Sequence, residues 1–446
     1  MRQQLPTQDI TMEKLHFLLV SLPFQGHLNP TLGLATKLIG AGARVTLVTT
    51  INGLNNLKTH RSLPGLSYDS FEDGGANGKP NYFEIMKLVG SVNFKNLLLT
   101  KIKIGERLDF IIYGLCLPWV AEVAHEYHVP SACLFFQSAA AFSMVYHFFK
   151  SDSEMVNSHI EPNDLVQIPG LPMLKHSDIP AYLQPSNAYN SAVGSLFQQQ
   201  IRIFEENRNS FILINTFQEL EEAQVKKAIP KDHINILYIG PLVSNCDISQ
   251  NSERESCLKW LDTKPKKSVI YACFGSLSKF NKEQNEEIYQ GLVQYGHPFL
   301  LVIRDYNDEL VRTTSEYDGM IVRWCSQVDV LNHGAVVCFV SHCGWNSVME
   351  SLVSGVPLVG CPQLADQMIN AKMVDEIWKN GVKAVADCDG VVTRKEIKRC
   401  LEMVIGNEEI KNKCEVLKNM AMEAVAEGGA ADRNLMRLLT SSKTVS

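Results

Sequence analysis

A strand-length apolar run that leads straight into a small-residue turn and a helix is the feature that most limits how this chain can fold. Residues 336–340 read VVCFV, and a turn of small and polar residues, 341–347, follows them at once. A helix is expected from about Ser347 until Gly355 stops it, and another strand follows. This order of strand, turn, helix and strand predicts a parallel sheet covered by helices.

The same alternation recurs along both halves of the chain. It predicts an α/β protein of two doubly wound, Rossmann-like domains, with ligands at the carboxyl ends of the strands in a cleft between them. A polar stretch of Asn, Asp, Ser and Gln suggests the linker. The expected divisions are a first domain at 1–241, a linker at 242–256, a second domain at 257–430, and a C-terminal helix at 431–446 that packs back on the first domain. The expected strands are 15–21, 44–49, 110–113, 131–136, 210–215, 268–274, 299–303, 336–340 and 356–360.

Two helix starts are also predicted. Asn29 suits the N-cap and Pro30 the first position of a helix that runs to about Gly40. Asn281, with Gln284 three residues later, resembles a capping box.

The turn after residues 336–340 is suited to a phosphate. Free N–H groups and the dipole of the following helix both favour an anion at that point. The side chains of His342, Asn346 and Ser347 add hydrogen-bond donors there. The sequence therefore predicts a phosphate-binding turn.

Residues near this turn supply groups for a nucleotide sugar. Asp366 and Gln367 pair a carboxylate with an amide, which suits sugar hydroxyls. Glu350 lies one helical turn past Asn346, where it can hold a ribose diol, and Trp324 offers a ring for a base. Singly, each has an ordinary structural explanation: a satisfied buried histidine at 342, a core side chain at 345, a helix-face charge at 350. At this spacing the nucleotide-sugar interpretation is favoured.

The segment 324–367 resembles the signature box of the plant family-1 UDP-dependent glycosyltransferases, which make small-molecule glucosides. It matches in length, in the opening WCSQ, in HCGWNS at 342–347, and in the closing Asp366-Gln367. The resemblance extends from about residue 14 to about residue 439, with further matches at 269–277 and 298–304. It implies the GT-B architecture, UDP-glucose as the donor substrate, and no metal or other cofactor. Gln367 resembles the glucose-using members. The implied donor-binding residues are Ser276, Trp324, Cys325, Gln327, His342, Gly344, Trp345, Asn346, Ser347, Glu350, Asp366 and Gln367.

His27 is the candidate catalytic base. It lies after the first expected strand, in a turn where the neighbouring Gly26 lets the backbone approach a ligand closely. A neutral imidazole can take the proton of an acceptor hydroxyl as that oxygen attacks the sugar. The family's base histidine has the same QGHLNP context, which implies a single inverting displacement to a β-glucoside or a glucose ester.

Gly114 is the main departure from the family. Most relatives carry there an aspartate that orients the base histidine. Asp109 lies five residues upstream, roughly 16 Å along a strand, and Glu122 belongs to a helix that runs away from the site. Three outcomes stay open. In the first, the acceptor is acidic enough to need little help from a base, as a carboxylic acid or an activated polyphenol is. In the second, water or an acceptor group holds the histidine in place. In the third, the protein binds a UDP-sugar without turnover. Glycine is also expected to enlarge the cavity, which keeps aryl C-glucosylation of a flavonoid-type polyphenol as an alternative.

The acceptor pocket is expected in the first domain. Segments that line it in similar enzymes are rich in aromatic residues here, which suits a flat phenolic guest, although core packing explains each position as well. A loop containing Gly74 and Gly75 is expected near the entrance. The candidate lining residues are Phe24, Tyr82, Phe83, Gly114, Trp119, Phe142 and Leu183.

Composition argues against other classes of protein. At 446 residues and a net charge of −6 without strong segregation, nothing indicates a nucleic-acid partner. The N-terminus lacks a signal sequence, no run is long enough for a transmembrane segment, and the 12 cysteines show no framework spacing, which predicts free thiols in the cytoplasm. Asp387 and Asp389 mimic an acidic metal-binding pair but suit a surface turn. No oligomer is indicated.

Overall fold

The computed structural model describes residues 15–57, 63–75, 81–150, 161, 164–183, 187–207, 210–230, 234–243, 252–275, 280–304 and 317–441. Within these residues, no helix is both long enough and apolar enough to cross a membrane.

The first half of the chain alternates strands and helices. Its strands are β1 (His16–Val20), β2 (Arg44–Thr50), β3 (Leu66–Phe71), β4 (Phe110–Gly114), β5 (Ser131–Phe135), β6 (Leu165–Val166), β7 (Leu174–Lys175), β8 (Phe211–Ile214) and β9 (Asn235–Tyr238). Its helices are α1 (Gln25–Gly40), α2 (Ile51–Leu57), α3 (Tyr82–Ile85), α4 (Ser91–Lys103), α5 (Trp119–Glu126), α6 (Ala139–Phe149), α7 (Ala188–Glu206) and α8 (Gln218–Ala228). A π-helical turn, Met86–Gly90, joins α3 to α4, and a 3-10 turn, His176–Asp178, follows β7.

The second half repeats the alternation. Its strands are β10 (Val269–Cys273), β11 (Phe299–Val302), β12 (Gly319–Val322), β13 (Val336–Ser341), β14 (Leu358–Gly360) and β15 (Gly381–Lys383). Its helices are α9 (Ser252–Asp262), α10 (Lys282–Tyr295), α11 (Gln327–Leu331), α12 (Trp345–Ser354), α13 (Gln367–Lys372), α14 (Arg394–Val404), α15 (Glu408–Val425) and α16 (Ala430–Ser441). A π-helical turn, Met373–Ile377, follows α13.

Each half builds one parallel sheet with the doubly wound strand order. The first sheet runs β3-β2-β1-β4-β5-β8-β9, and the second runs β12-β11-β10-β13-β14-β15. The order reverses between β1 and β4 in the first sheet and between β10 and β13 in the second. Ligands of such sheets bind at these reversals, beyond the carboxyl ends of the strands. The two-domain α/β prediction is confirmed.

The first helix begins earlier than its sequence suggests. The Phe24 carbonyl accepts hydrogen bonds from the N–H groups of His27 and Leu28, so α1 starts at Gln25 and Asn29 is not its N-cap. Pro30 therefore lies inside the helix. Because proline has no N–H, the Gly26 carbonyl loses its partner within the helix and is open to other donors.

At the second predicted helix start, the N-cap is confirmed and the capping box is not. Asn281 caps α10 by accepting the N–H of Gln284 at 2.7 Å. The Gln284 side chain does not complete a capping box, because its amide bonds the Val392 backbone instead. At the expected linker, residues 244–251 lie outside the described part and α9 begins at Ser252, so the last residues of that stretch are helical.

The C-terminal helix lies against the first sheet. The Asn434 side chain of α16 donates to the carbonyl oxygen of Tyr238 in β9 at 2.9 Å. Asp387 folds its carboxylate onto the N–H groups of Asp389 and Val391, as a surface turn does.

Candidate active site

The two sheet reversals carry the two parts of the site. His27 follows β1 in the first turn of α1, and Gly114 ends the neighbouring β4, where Val20 pairs with Tyr113. In the second sheet, Gly275 follows β10 and His342 follows β13. The site residues thus lie where the doubly wound topology binds ligands.

His27 has an apolar surrounding. Its ring lies 4.4 Å from the Phe136 ring and 5.7 Å from the Phe24 ring, centroid to centroid. Its Nδ1 atom is buried and bonds none of the described residues. Burial lowers the pKa of His27 to about 3, so the imidazole is neutral at physiological pH.

The carboxylates near the β1–β4 pair do not reach this histidine. Asp109 accepts the His16 N–H at 2.8 Å at the opposite end of the strands. Glu122, on α5, accepts the side-chain amide of Gln199 at 2.6 Å. The sequence-based conclusion that neither replaces the family's aspartate agrees with these contacts.

Gly114, where extra cavity space is expected, has Phe136 and Val20 as its neighbours. A Cβ atom added at Gly114 would lie 3.4 Å from Phe136 Cε1 and 3.5 Å from the Val20 carbonyl oxygen, which are ordinary contacts. The Phe136 ring, which also contacts His27, lies beside the glycine. Sequence reasoning missed Phe136, whose position directly after β5 was the only available signal.

His342 is held by two glycines. Its ring nitrogen Nε2 is so close to the backbone that a Cβ atom at either Gly275 or Gly344 would lie 2.5 Å from it. Gly275 also has a φ of +78°, a conformation that favours glycine. Burial lowers the pKa of His342 to about 4, which makes it a neutral donor or acceptor.

The N-terminus of α12 is open. Its N-cap is Gly344, which has no side chain to satisfy the first N–H groups of the helix. The helix has ten residues, so its dipole is well developed. This end of α12, beside His342, is where the sequence predicts an anion-binding turn.

Residues from α11 and α12 form a connected polar group. The Gln327 side-chain amide donates to Ser347 Oγ at 2.8 Å and to Glu350 Oε2 at 2.5 Å. Its oxygen accepts the Tyr271 hydroxyl, which also contacts the buried Cys325 thiol. The half-buried Trp324 precedes this group. The arrangement presents a carboxylate and an aromatic ring within one short segment.

Asp366 and Gln367 lie at the start of α13. Asp366 is buried, and its Oδ2 accepts the side-chain amide of Asn370 at 2.7 Å. Burial raises the pKa of Asp366 to about 6. The Gln367 oxygen accepts two backbone N–H groups, of Gln363 and Leu364, both at 2.9 Å. This bonding fixes the Gln367 amide with its NH2 group pointing away from its own loop.

Hydrogen bonds join the halves beside the site. Asn346 Nδ2 donates to the Gly26 carbonyl at 3.0 Å, the carbonyl that Pro30 leaves without a helical partner. Trp345 Nε1 donates to the Asn215 carbonyl at 2.6 Å in a buried contact. The Trp345 indole is thus part of the interface, and only its backbone N–H is at the open helix end.

A buried carboxylate of the first half adds charged contacts across the same interface. Asp178 accepts Lys372 Nζ at 3.1 Å and Lys383 Nζ at 2.6 Å. Together with the bond from Asn346 to Gly26, these contacts hold the start of α12 near the turn that carries His27.

The aromatic acceptor candidates separate into two groups. Phe24 and Tyr82 lie 5.7 Å apart beside His27, and Phe83 packs on Tyr82 at 5.2 Å. Tyr82 is buried with a hydroxyl that bonds no described residue. The other candidates pack against neighbouring side chains of the first half. Trp119 packs edge-on against Phe71 and Phe94, Phe142 packs against Phe135 and Phe204, and Leu183 is buried after Tyr182. Their apolar surface is explained by hydrophobic packing.

Two expected features of the site involve residues that the structure does not describe. Ser276 and residues 76–80 of the expected entrance loop lie outside the described residues. Among the described residues there is no group of three or more His, Cys, Asp or Glu side chains that could hold a metal ion.

Two doubly wound domains that face each other across a cleft, with an open helix end and a buried carboxylate on one side and a histidine on the other, define a GT-B glycosyltransferase that uses a nucleotide sugar. The comparisons with known proteins agree. Residues 204–424 match the family model described as UDP-glucoronosyl and UDP-glucosyl transferase. The chain belongs to this UDP-glycosyltransferase family and is a UDP-glucose-dependent glycosyltransferase.

Plant enzymes of secondary metabolism are among its relatives. The chain is 38% identical over 480 residues to the phloretin 4'-O-glucosyltransferase of Malus domestica, covering 97% of this chain and 99% of that one. It is 37% identical to a chloroplastic crocetin glucosyltransferase of Gardenia jasminoides, covering 95% and 96%. A solved structure of Os79 from O. sativa with U2F and a trichothecene matches with a TM-score of 0.83, 28% identity, and coverage of 96% and 100%.

Proposed function

We propose that the protein transfers glucose from UDP-glucose to a plant small molecule with inversion, forming a β-O-glucoside or a glucose ester. His27 is the base, and the acceptor is a phenolic, flavonoid-type compound or a carboxylic acid. The observation that carries this proposal is the opposed placement of His27 and the open N-terminus of α12, linked by the bond from Asn346 to Gly26. A base on one side of the anomeric carbon and a phosphate site on the other suit an in-line displacement.

The donor side offers a partner for each part of UDP-glucose. The N–H groups at the start of α12 and His342 suit the diphosphate and stabilise the charge that develops on departing UDP. Glu350 suits the ribose, and Trp324 suits the uracil ring. Asp366 and the NH2 group of Gln367 suit the hexose. No metal is needed in this scheme, because the helix end and neutral donors supply the electrostatic stabilisation.

The surroundings of His27 favour an acidic acceptor. With no acceptor among the described residues for an N–H at the buried Nδ1, the neutral ring is more stable with its proton on Nε2. In that form Nε2 donates and is not a base. An acceptor that is already ionised near pH 7, such as a carboxylic acid, does not need the less stable tautomer of His27, which carries its proton on Nδ1. A phenol with a pKa of ~10 does need it.

An acceptor screen tests the proposal. UDP-glucose is incubated with flavones, chalcones, phenolic acids and long-chain acids, and each hexose adduct is detected by mass and then treated with acid or mild base. Adducts removed by acid or mild base are expected, from glucosides or esters. An adduct that survives strong acid would mean attack through carbon and would replace the O-transfer proposal.

A sensor that only binds the donor is the competing interpretation. Wild type and His27→Ala are compared for acceptor-dependent release of UDP and for UDP-glucose binding. Turnover by wild type that the variant loses on phenols is expected. Donor binding by both proteins, with no turnover of any acceptor by either, would favour the sensor.

A further inference from the structure

A buried amide connects the candidate sugar site to the first domain. Asn370 lies in α13, one helical turn after Asp366, and is completely buried. Its Nδ2 donates to Asp366 Oδ2 at 2.7 Å and to the Cys343 carbonyl at 3.1 Å. Its Oδ1 accepts the Ser138 hydroxyl, from the first domain, at 2.7 Å. All the hydrogen-bonding groups of this amide, two N–H donors and one oxygen, therefore have partners.

These partners fix the orientation of the amide. Ser138 is the N-cap of α6 and its Oγ already accepts the Ala141 N–H at 3.1 Å, so its hydroxyl proton is free to donate to Asn370. A flipped Asn370 would place its oxygen against two other oxygens, those of Asp366 and Cys343. The Ser138 donor on one side and the two acceptor oxygens on the other therefore both favour the observed orientation of the Asn370 amide.

Ser138 is itself held rigidly. The N–H groups of the next two residues, Ala139 and Ala140, donate to the two oxygens of the buried Glu221 carboxylate at 3.0 and 2.9 Å. The start of α6 is thus a fixed platform in the first domain. The hydrogen-bond chain from Ser138 through Asn370 to Asp366 crosses from this platform to the second domain.

We infer that Asn370 is a positioning residue through which docking of the first domain orients Asp366 for the donor sugar. This inference rests on the proposed role of Asp366 in holding glucose. With Oδ2 bound to the amide, the Asp366 carboxylate is held in one orientation and its other oxygen is left for a sugar hydroxyl. Ser138 then contributes to recognition of glucose without touching it. UDP alone has no sugar to reach Asp366, so its binding does not depend on the hydrogen bonds from Ser138 through Asn370 to Asp366.

The test measures affinities of UDP and UDP-glucose by calorimetry without an acceptor. Ser138→Ala removes the hydroxyl and leaves the Asn370 oxygen buried without its partner. We expect the affinity for UDP-glucose to fall by about tenfold while that for UDP stays within about twofold. Ser138→Thr, which keeps a hydroxyl and a good N-cap, is expected to restore the affinity for UDP-glucose.

A matched control is available on the same helix. Ser143 is also completely buried, and its hydroxyl donates to the Ala139 carbonyl within α6. Ser143→Ala therefore removes a buried hydroxyl without touching the chain to Asp366, and is expected to leave both affinities unchanged. Thermal unfolding of each variant verifies that the loss is not one of folding.

Asp366→Asn distinguishes the inference from the proposed function. If Asp366→Asn and Ser138→Ala both weaken UDP-glucose and spare UDP, the inference is supported. If only Asp366→Asn is selective, or if Ser138→Ala weakens both ligands equally, the positioning role is wrong while the sugar role of Asp366 stands. If Asp366→Asn is not selective, the sugar role is wrong and the inference falls with it.

Discussion

Restoring a carboxylate at position 114 is the sharpest perturbation of the base. The Cβ of Gly114→Asp would make only ordinary contacts, at 3.4 Å to Phe136 Cε1 and 3.5 Å to the Val20 carbonyl. The Phe136 ring lies beside both Gly114 and His27, so a smaller side chain at 136 gives the new carboxylate more room. Gly114→Asp with Phe136→Leu therefore accompanies the single variant.

The magnitude follows from the buried Nδ1 of His27. A buried N–H without a partner costs about 1–3 kcal/mol, so the ring form with its proton on Nδ1 is disfavoured by about 5- to 150-fold. An aspartate that accepts this N–H removes the penalty and leaves Nε2 free to act as the base. We expect the rate with a phenol of pKa ~10 to rise by a factor in this range, and the rate with a carboxylic acid to stay within about twofold.

Two measurements verify this expectation. Side-chain ¹⁵N NMR identifies the protonated nitrogen of His27, which we expect to be Nε2 in the wild type and Nδ1 in the aspartate variants. Rates are measured with a matched phenol and carboxylic acid. A wild-type histidine already protonated on Nδ1, or equal gains with both acceptors, would refute the reasoning.

Three further predictions concern the donor side and the domain interface. Because burial raises the pKa of Asp366 to about 6, protonation removes its charge as the pH falls through 6, so the KM for UDP-glucose is expected to rise there; a flat KM between pH 5 and 8 would contradict this. Gly275→Ala puts a methyl group 2.5 Å from His342 Nε2 at a φ of +78° and is expected to weaken UDP binding by about 1–3 kcal/mol. Gly334→Ala, with nothing within 4 Å, is expected to leave UDP binding unchanged. Equal UDP affinities of the two variants by calorimetry would contradict a role for the close approach of Gly275 to His342. Trp345→Phe deletes the indole N–H that donates across the interface and is expected to lower the free energy of unfolding by about 1–3 kcal/mol in urea; an unchanged midpoint would show that the bond contributes nothing.

The sequence predicts the buried strands well and the others poorly. The central strands are continuous apolar runs, such as β1 and β13, and their signal does not depend on partners. The edge strand β3 reads LSYDSF, half polar, and it was missed together with β9, β12 and β15. The start of α1 was placed five residues late, at Pro30 instead of Gln25, because a proline inside a helix is normally unfavourable. Here the carbonyl it exposes is bonded by Asn346, a contact 320 residues away.

The residues of the candidate site also differ in how clearly the sequence marks them. Residues 324–367 form one local segment, so their spacing indicated its phosphate, ribose and sugar groups directly. Phe136 and Ser138 act through contacts with residues far away in the sequence, and no local pattern marks them. Trp119 and Phe142 pack against other aromatic rings, and their place in the acceptor pocket stays a prediction, because an aromatic side chain gives the same sequence signal in a core and in a pocket. The predicted free thiols and cytoplasmic location remain predictions.

The central claim is inverting glucose transfer with His27 as the base. Its most direct test is the anomeric configuration of the product, determined by NMR, together with the rates of wild type and His27→Ala on acceptors of graded acidity. We expect β-linked products, and a loss on His27→Ala that is large for phenols and small for carboxylic acids. An α-linked product, or equal losses across the whole series, would contradict the account.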